Sequence, residues 1–212
     1  MKSILYSPPK IIKNVFSNFI WETTTNEILL TFDDGPNPQT TELILKELSN
    51  YSIKAIFFCV GDNIQKYPSI AKEILGENHI IGNHTFTHRN IREYNYAELG
   101  KEIDKFNEAY NKISDSHVRY FRPPHGRFRI KLHTELNKYQ LKNVMWSLLT
   151  FDYKNDLNIV KFAVTNYLNS NSIIVLHDNP KCLDIIIDSI KFTVDEALAR
   201  AYRFGDPTEC LK

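Results

Sequence analysis

Short apolar runs alternate along the chain with longer stretches whose apolar residues recur every three or four positions. The runs at residues 27–32, 54–60, 79–82, 117–122, 142–146 and 172–176 have strand length and end in polar or turn-forming residues, so they read as strands. A weaker strand is expected around 202–204. Leu43, Leu45 and Leu48 mark a helix over 40–49, and a helix over 68–75 opens on Pro68, which a first helical turn tolerates. Leu99, Ile103, Phe106 and Tyr110 place another over 96–113, and further helices are expected over 130–139, 157–168 and 183–201. Strand–helix alternation predicts parallel strands joined by crossover helices, hence an α/β sheet or barrel. No internal repeat, low-complexity tract or linker interrupts it, and 212 residues suit one such domain. Ahead of the first strand, Ile11, Ile12, Val15, Phe16, Phe19, Ile20 and Trp21 are spaced like an amphipathic helix. Residues 1–25 are therefore expected to form an extension that packs on a domain spanning 26–212.

An apolar share of 42% supports a sizeable core. Lys and Arg number 26 against 25 acidic residues, a formal charge of +1, which gives no electrostatic case for a nucleic-acid or membrane partner. Cys59, Cys182 and Cys210 are odd in number and widely spaced, so neither a disulfide framework nor a cysteine zinc site is indicated. The first residues lack the apolar core and cleavage site of an export signal, and no run of about 18 apolar residues could span a membrane. A cytoplasmic location is the expectation.

The chemistry gathers at predicted strand ends, where parallel α/β folds place their catalytic groups. Asp33 and Asp34 follow the run Ile28-Leu29-Leu30 in Thr31-Phe-Asp-Asp-Gly-Pro-Asn37. Adjacent carboxylates repel unless a cation or a proton relieves them, although Asp-Gly-Pro is also common turn chemistry. His84-Thr85-Phe86-Thr87-His88 presents two imidazoles that can converge on one ion. Hydrolytic zinc takes three protein ligands and leaves a position for water; Asp34, His84 and His88 make such a set, with Asp33 spare as a base. Arg122, in Arg122-Pro123-Pro124-His125-Gly126, can pair with a carboxylate, and the prolines and glycine stiffen a turn that aims backbone amides. His177 closes a buried strand. Asp152 lies beyond the preceding one, and an acid beside His177 would favour imidazolium, which suits a general acid.

At these residues the chain resembles the polysaccharide deacetylase family, the NodB-homology domains of carbohydrate esterase family four. Five motifs appear in order: Thr31-Phe-Asp-Asp-Gly-Pro36, His84-Thr-Phe-Thr-His88, Arg122-Pro-Pro-His-Gly126, the Asp152 region and Val175-Leu-His177. The resemblance covers roughly residues 27 to 205. It implies a distorted (β/α)7-type barrel that removes acetyl groups from N-acetylated sugars with a divalent metal, zinc in the first place, with cobalt or nickel as alternatives. Asp33 would then be the base, Asp34, His84 and His88 the metal ligands, Arg122 the tether of Asp33, and His177 the acid oriented by Asp152. Pro123, Pro124, His125, Gly126, Tyr153 and Val175 would shape the substrate site, the oxyanion meeting a backbone amide near His125. The implied partner is an acetylated carbohydrate of the N-acetylglucosamine type. Deacetylation of polysaccharide esters by the same machinery, or a carbohydrate-binding pseudoenzyme, are the alternatives. Three positions depart from the family: His125 where tyrosine is usual, Tyr153 where tryptophan follows the aspartate, and Val175 where leucine usually stands two before the histidine.

Overall fold

The computed structural model describes residues 5–211. At its centre is β1 (Leu29–Asp33), flanked by β2 (Ile56–Cys59) and β3 (Ile80–Asn83) on one side and β7 (Ile173–His177) on the other. The short strands β4 (Tyr120–Phe121), β5 (Lys142–Asn143) and β6 (Leu148–Leu149) complete a seven-stranded sheet in the order β5-β4-β3-β2-β1-β7-β6, with every ladder parallel. Residues 142–149 pair with β4 at their start and with β7 at their end, so one stretch of backbone links the two edges of a curled sheet. This is the distorted (β/α)7-type barrel expected from the sequence.

The central strands are buried on both faces, as parallel strands under helices must be, and their apolar runs are continuous for that reason. Leu29, Ile56, Phe58, Tyr120, Val144 and Ile173 fill the inside of the curl. Leu30, Phe32, Phe57, Ile81, Ile174 and Leu176 face an outer layer. The helices are α1 (Lys10–Val15), α2 (Thr41–Asn50), α3 (Gly61–Lys66), α4 (Pro68–Gly76), α5 (Tyr96–Tyr110), α6 (Leu132–Asn137), α7 (Leu157–Tyr167), α8 (Ile186–Ala199) and α9 (Pro207–Cys210). Among them, α5 starts on a capping box, Asn95 accepting from the Glu98 amide while Glu98 accepts from that of Asn95. Cys59, Cys182 and Cys210 are buried and unpaired. No helix among the described residues is long and apolar enough to cross a membrane.

Several expected elements come out differently. The strands over 117–122 and 142–146 shrink to two residues each, and β6 and α3 appear where none was expected. Residues 202–204 form no strand; Phe204 makes only an isolated bridge to Ile28. The N-terminal helix stops at Val15, and Ile11, Ile12 and Val15 lie on the surface. Packing falls instead to Phe16, Phe19 and Trp21, which meet Phe128 and the layer under α5 and α6. The reason is a competing ladder: the Ile20 amide donates to the Asn143 carbonyl at 2.9 Å and its carbonyl accepts from Met145 at 2.7 Å, which holds the chain extended. Residues 1–4 of the expected extension lie outside the described residues.

Candidate active site

Alternation along β1 sends Phe32 to the outer layer and Thr31 and Asp33 to the inside of the curl. Arg122, which follows β4, is fully buried and donates from Nη1 to Asp33 Oδ1 and Thr31 Oγ1, both at 2.7 Å. Its Nε and Nη2 donate to the carbonyls of Val144 and Met145 at 2.9 and 2.8 Å, and its guanidinium lies 4.1 Å over the Phe58 ring. Burial pulls the Arg122 pKa down while the Asp33 charge and hydrogen bond pull it up. A buried cation needs such a counter-charge. Asp33 Oδ2 is left facing the other way, 3.9 Å from His84 Nε2.

Asp34 turns away from its neighbour through a left-handed backbone, φ 82°. Its Oδ1 lies 3.0 Å from His88 Nε2 and 3.7 Å from His84 Nε2, and its Oδ2 accepts from Asn179 Nδ2 at 3.0 Å. Asn63 Nδ2 donates to the Asp34 carbonyl at 2.8 Å, which pins the turn. Burial acts to raise the Asp34 pKa, but the His88 hydrogen bond and the field of His177, with smaller contributions from the other two imidazoles, hold it well below the ordinary carboxylate range. His84 is 2% exposed, and burial lowers its pKa to about 4, so the ring is neutral near pH 7. Its Nδ1 donates to the Arg122 carbonyl at 2.7 Å, which leaves the Nε2 lone pair toward Asp34.

One ligand atom each from Asp34, His84 and His88 lies within 4.8 Å of the others. With N and O ligands at about 2.0–2.2 Å from zinc, one ion can reach all three. The donor set fits a divalent cation on its own chemistry: one carboxylate, two imidazoles, and a ring orientation fixed from behind.

Across the cleft, His177 is paired in register with Asp33 at the end of β7, so both side chains share the inner face. Its Nδ1 donates to Asp152 Oδ1 at 2.7 Å, and its amide donates to Asp152 Oδ2 at 2.7 Å. Burial would lower the His177 pKa; the charge and hydrogen bond of fully buried Asp152 outweigh it and, with Asp34 and Asp33, raise it to about 9. The ring is an imidazolium with Nε2–H turned from Asp152.

His125 has φ 59° and stands with its ring 4.7 Å from that of His88. The Gly126 amide donates to the Pro123 carbonyl at 3.0 Å, whereas the His125 amide has no acceptor among the described residues. Gly126 is required: at φ 62°, a Cβ there would come within 2.2 Å of the Trp146 ring. These groups border a cleft of about 730 Å³, whose lining also includes Trp146, Leu149, Tyr153 and Val175.

The polysaccharide deacetylase family model matches residues 21–144. The chain belongs to this family. It is 36% identical over 180 residues to a peptidoglycan-N-acetylglucosamine deacetylase of Bacillus cereus, covering 78% of this chain and 63% of that protein. It thus spans less than two thirds of that relative's length. A chitooligosaccharide deacetylase of Azorhizobium caulinodans is 33% identical over 156 residues, 72% of this chain and 74% of the relative. A crystal structure of a peptidoglycan N-acetylglucosamine deacetylase, in complex with 4-naphthalen-1-yl-N-oxidanyl-benzamide, superposes with a TM-score of 0.87 at 27% identity and covers 97% of both chains.

The fold brings Asp33, Asp34, His84, His88, His125, Gly126, Tyr153, Val175 and His177 to one cleft. It does not bring Pro123 and Pro124 there; both are buried under the turn and shape it. Arg122 and Asp152 are also sealed from the cleft and touch it only through their hydrogen bonds to Asp33 and His177. Sequence reasoning missed several contributors. Asn179 holds Asp34, and Asp178 accepts from Asn37, Thr40 and Thr41 at 2.9, 2.6 and 2.6 Å beneath Gly35. Burial raises Asp178 to about 7 against those three donors. Both directly follow His177, so that adjacency was an available signal. Glu102, which holds the loop between His84 and His88, gave none.

Proposed function

We propose that the chain is a metal-dependent N-deacetylase of N-acetylated glycans, acting on an N-acetylglucosamine-type polymer or oligomer. The observation that carries this reading is the convergence on one cleft of a metal-ligand triad, a guanidinium-paired carboxylate and a carboxylate-paired imidazolium. The named activities of the relatives support the same substrate class. The roles follow from the atoms. Asp34, His84 and His88 would hold the ion; zinc suits the mixed N/O set, and cobalt or nickel meets the same donors. Once bound, the ion supplies Lewis-acid polarisation of the acetamide carbonyl and a more acidic water. Asp33 takes the proton of the attacking water on Oδ2, the oxygen Arg122 leaves free. The unengaged His125 amide donates to the developing oxyanion. An amine leaves poorly unless protonated, and His177 Nε2–H gives it that proton. Base and acid are therefore separate residues, each held by a buried partner of opposite charge.

The test is acetate release from N-acetylglucosamine oligomers and from O-acetylated glycan, with metal-stripped and zinc-restored protein. Release from the amide substrate only with metal restored is expected. Asp33→Asn should keep its metal and lose roughly 10²- to 10⁴-fold in kcat. Release from esters alone would reassign the reaction, and no release from either would refute it.

A further inference from the structure

The loop that carries the two histidines contains a pair of left-handed residues, Thr85 at φ 66° and His88 at φ 58°. Such backbone is costly for residues with side chains, most of all β-branched ones, and persists only where its surroundings fix it. Each amide of residues 84–88 has an acceptor. His84 donates to the Cys59 carbonyl at 2.9 Å, Thr85 to Asn83 Oδ1 at 2.8 Å and His88 to Thr85 Oγ1 at 3.1 Å. The two between them, Phe86 and Thr87, donate to Glu102 Oε2 at 3.1 and 2.8 Å, and the Thr87 hydroxyl donates to the same oxygen at 2.9 Å. Because that hydroxyl proton is committed, Tyr94 O–H donates in turn to Thr87 Oγ1, 2.9 Å away. The Thr85 and Phe86 carbonyls accept from the Gly61 and Asp62 amides of α3, each at 3.0 Å.

Glu102 comes from α5 and is 8% exposed. No cation among the described residues makes a salt bridge with it; its charge is met by these loop donors. An uncompensated buried carboxylate is destabilising in a merely structural helix position. Aimed at backbone amides, it makes charge-assisted hydrogen bonds about twice as strong as neutral ones. We infer that Glu102 is a positioning residue for the metal centre, fixing the strained backbone between His84 and His88 and thereby setting the affinity for the divalent cation. The inference rests on Asp34, His84 and His88 being the ligands.

Zinc affinity, measured by chelator competition, and the visible spectrum of the cobalt-loaded protein test it. In Glu102→Ala the zinc Kd should rise roughly tenfold to a hundredfold, as for other groups that orient metal ligands, and the cobalt bands should shift. Glu102→Gln, which keeps an oxygen acceptor without the charge, should restore part of the affinity. A Glu102→Ala protein whose thermal midpoint falls while its Kd and cobalt spectrum match the parent overturns the inference. Should that variant fail to fold, Thr87→Val deletes one donor and the Tyr94 link; its Kd should weaken on the order of fivefold, the worth of one hydrogen bond. An unchanged Kd there overturns the inference equally. If the parent protein takes up no stoichiometric zinc, the ligand assignment itself fails, a result distinct from tight binding that ignores Glu102.

Discussion

His84 and His177 are imidazoles at the same end of one parallel sheet, the first buried and the second largely covered at the cleft wall, yet their surroundings push them in opposite directions. Burial takes His84 down to about 4; the Asp33 and Asp34 charges and the carbonyl on its Nδ1 oppose this only in part, and His88 beside it adds to it. His177 is desolvated too, though it borders the cleft, but the Asp152 carboxylate on its Nδ1 lifts it to about 9. A neutral ring with a free Nε2 lone pair binds metal; a charged ring with a free Nε2–H gives up a proton. The difference lies in what stands behind the ring, a carbonyl or a carboxylate. The two aspartates of the doublet divide in the same way: Asp33 is paired with Arg122 and Asp34 with imidazoles.

Removing either ring should have the largest effect. His84→Ala removes one of the three proposed ligands, so bound metal should fall by more than the tenfold to hundredfold seen when only an orienting group is lost. Activity should drop to background with it. His177→Ala should keep its metal and lose roughly 10²- to 10⁴-fold in kcat. Elemental analysis alongside acetate release separates the two. Full metal occupancy in His84→Ala, or metal loss in His177→Ala, would erase the distinction.

Much of this arrangement could be read in the sequence because strand ends are local. The runs before Asp33 and His177 are long and buried on both faces, so their strands and the residues that close them were predictable. His84 and His88 lie four apart, within one loop. The short strands were harder. Tyr120–Phe121 and Lys142–Asn143 make only brief ladders, and their apolar neighbours serve packing rather than pairing. The gap between residues 143 and 148 hid β6 for the same reason. Glu102 was illegible because periodicity marks Leu99, Ile103 and Phe106 as the core stripe, and Glu102 looks like a solvated neighbour. Only the tertiary approach of the His84–His88 loop gives its carboxylate an object.

A smaller change should move His177 toward His84 in character. Asp152→Asn keeps a hydrogen-bonding group behind the ring but removes the charge that holds its pKa at about 9. The alkaline limb of the kcat/KM profile should then move down toward the ordinary imidazole value, about 6.5. A limb that stays in place would mean that a different group is the proton donor.

The smallest expected effect is on stability, and here the two histidines should act with opposite sign. His177 has a folded pKa of about 9, above the 6.5 of the unfolded chain. Its pairing with Asp152 therefore stabilises fully below pH 6.5 and is lost as pH rises through 9. A shift of this size is worth on the order of 3 kcal/mol. His84, at about 4 in the fold against 6.5 unfolded, is the reverse: stability is complete above pH 6.5 and declines as pH falls toward 4. Asp178, raised from 3.8 to about 7, adds a decline as pH rises between those values. Urea midpoints of metal-stripped protein from pH 6 to 9.5, for the parent and for Asp152→Asn, isolate the His177 contribution, because Asp178 and His84 are common to both. The parent should lose stability relative to the variant between pH 6.5 and 9. A difference that stays flat across that window would mean that Asp152 orients His177 without charging it, and the contrast with His84 would then be one of geometry alone.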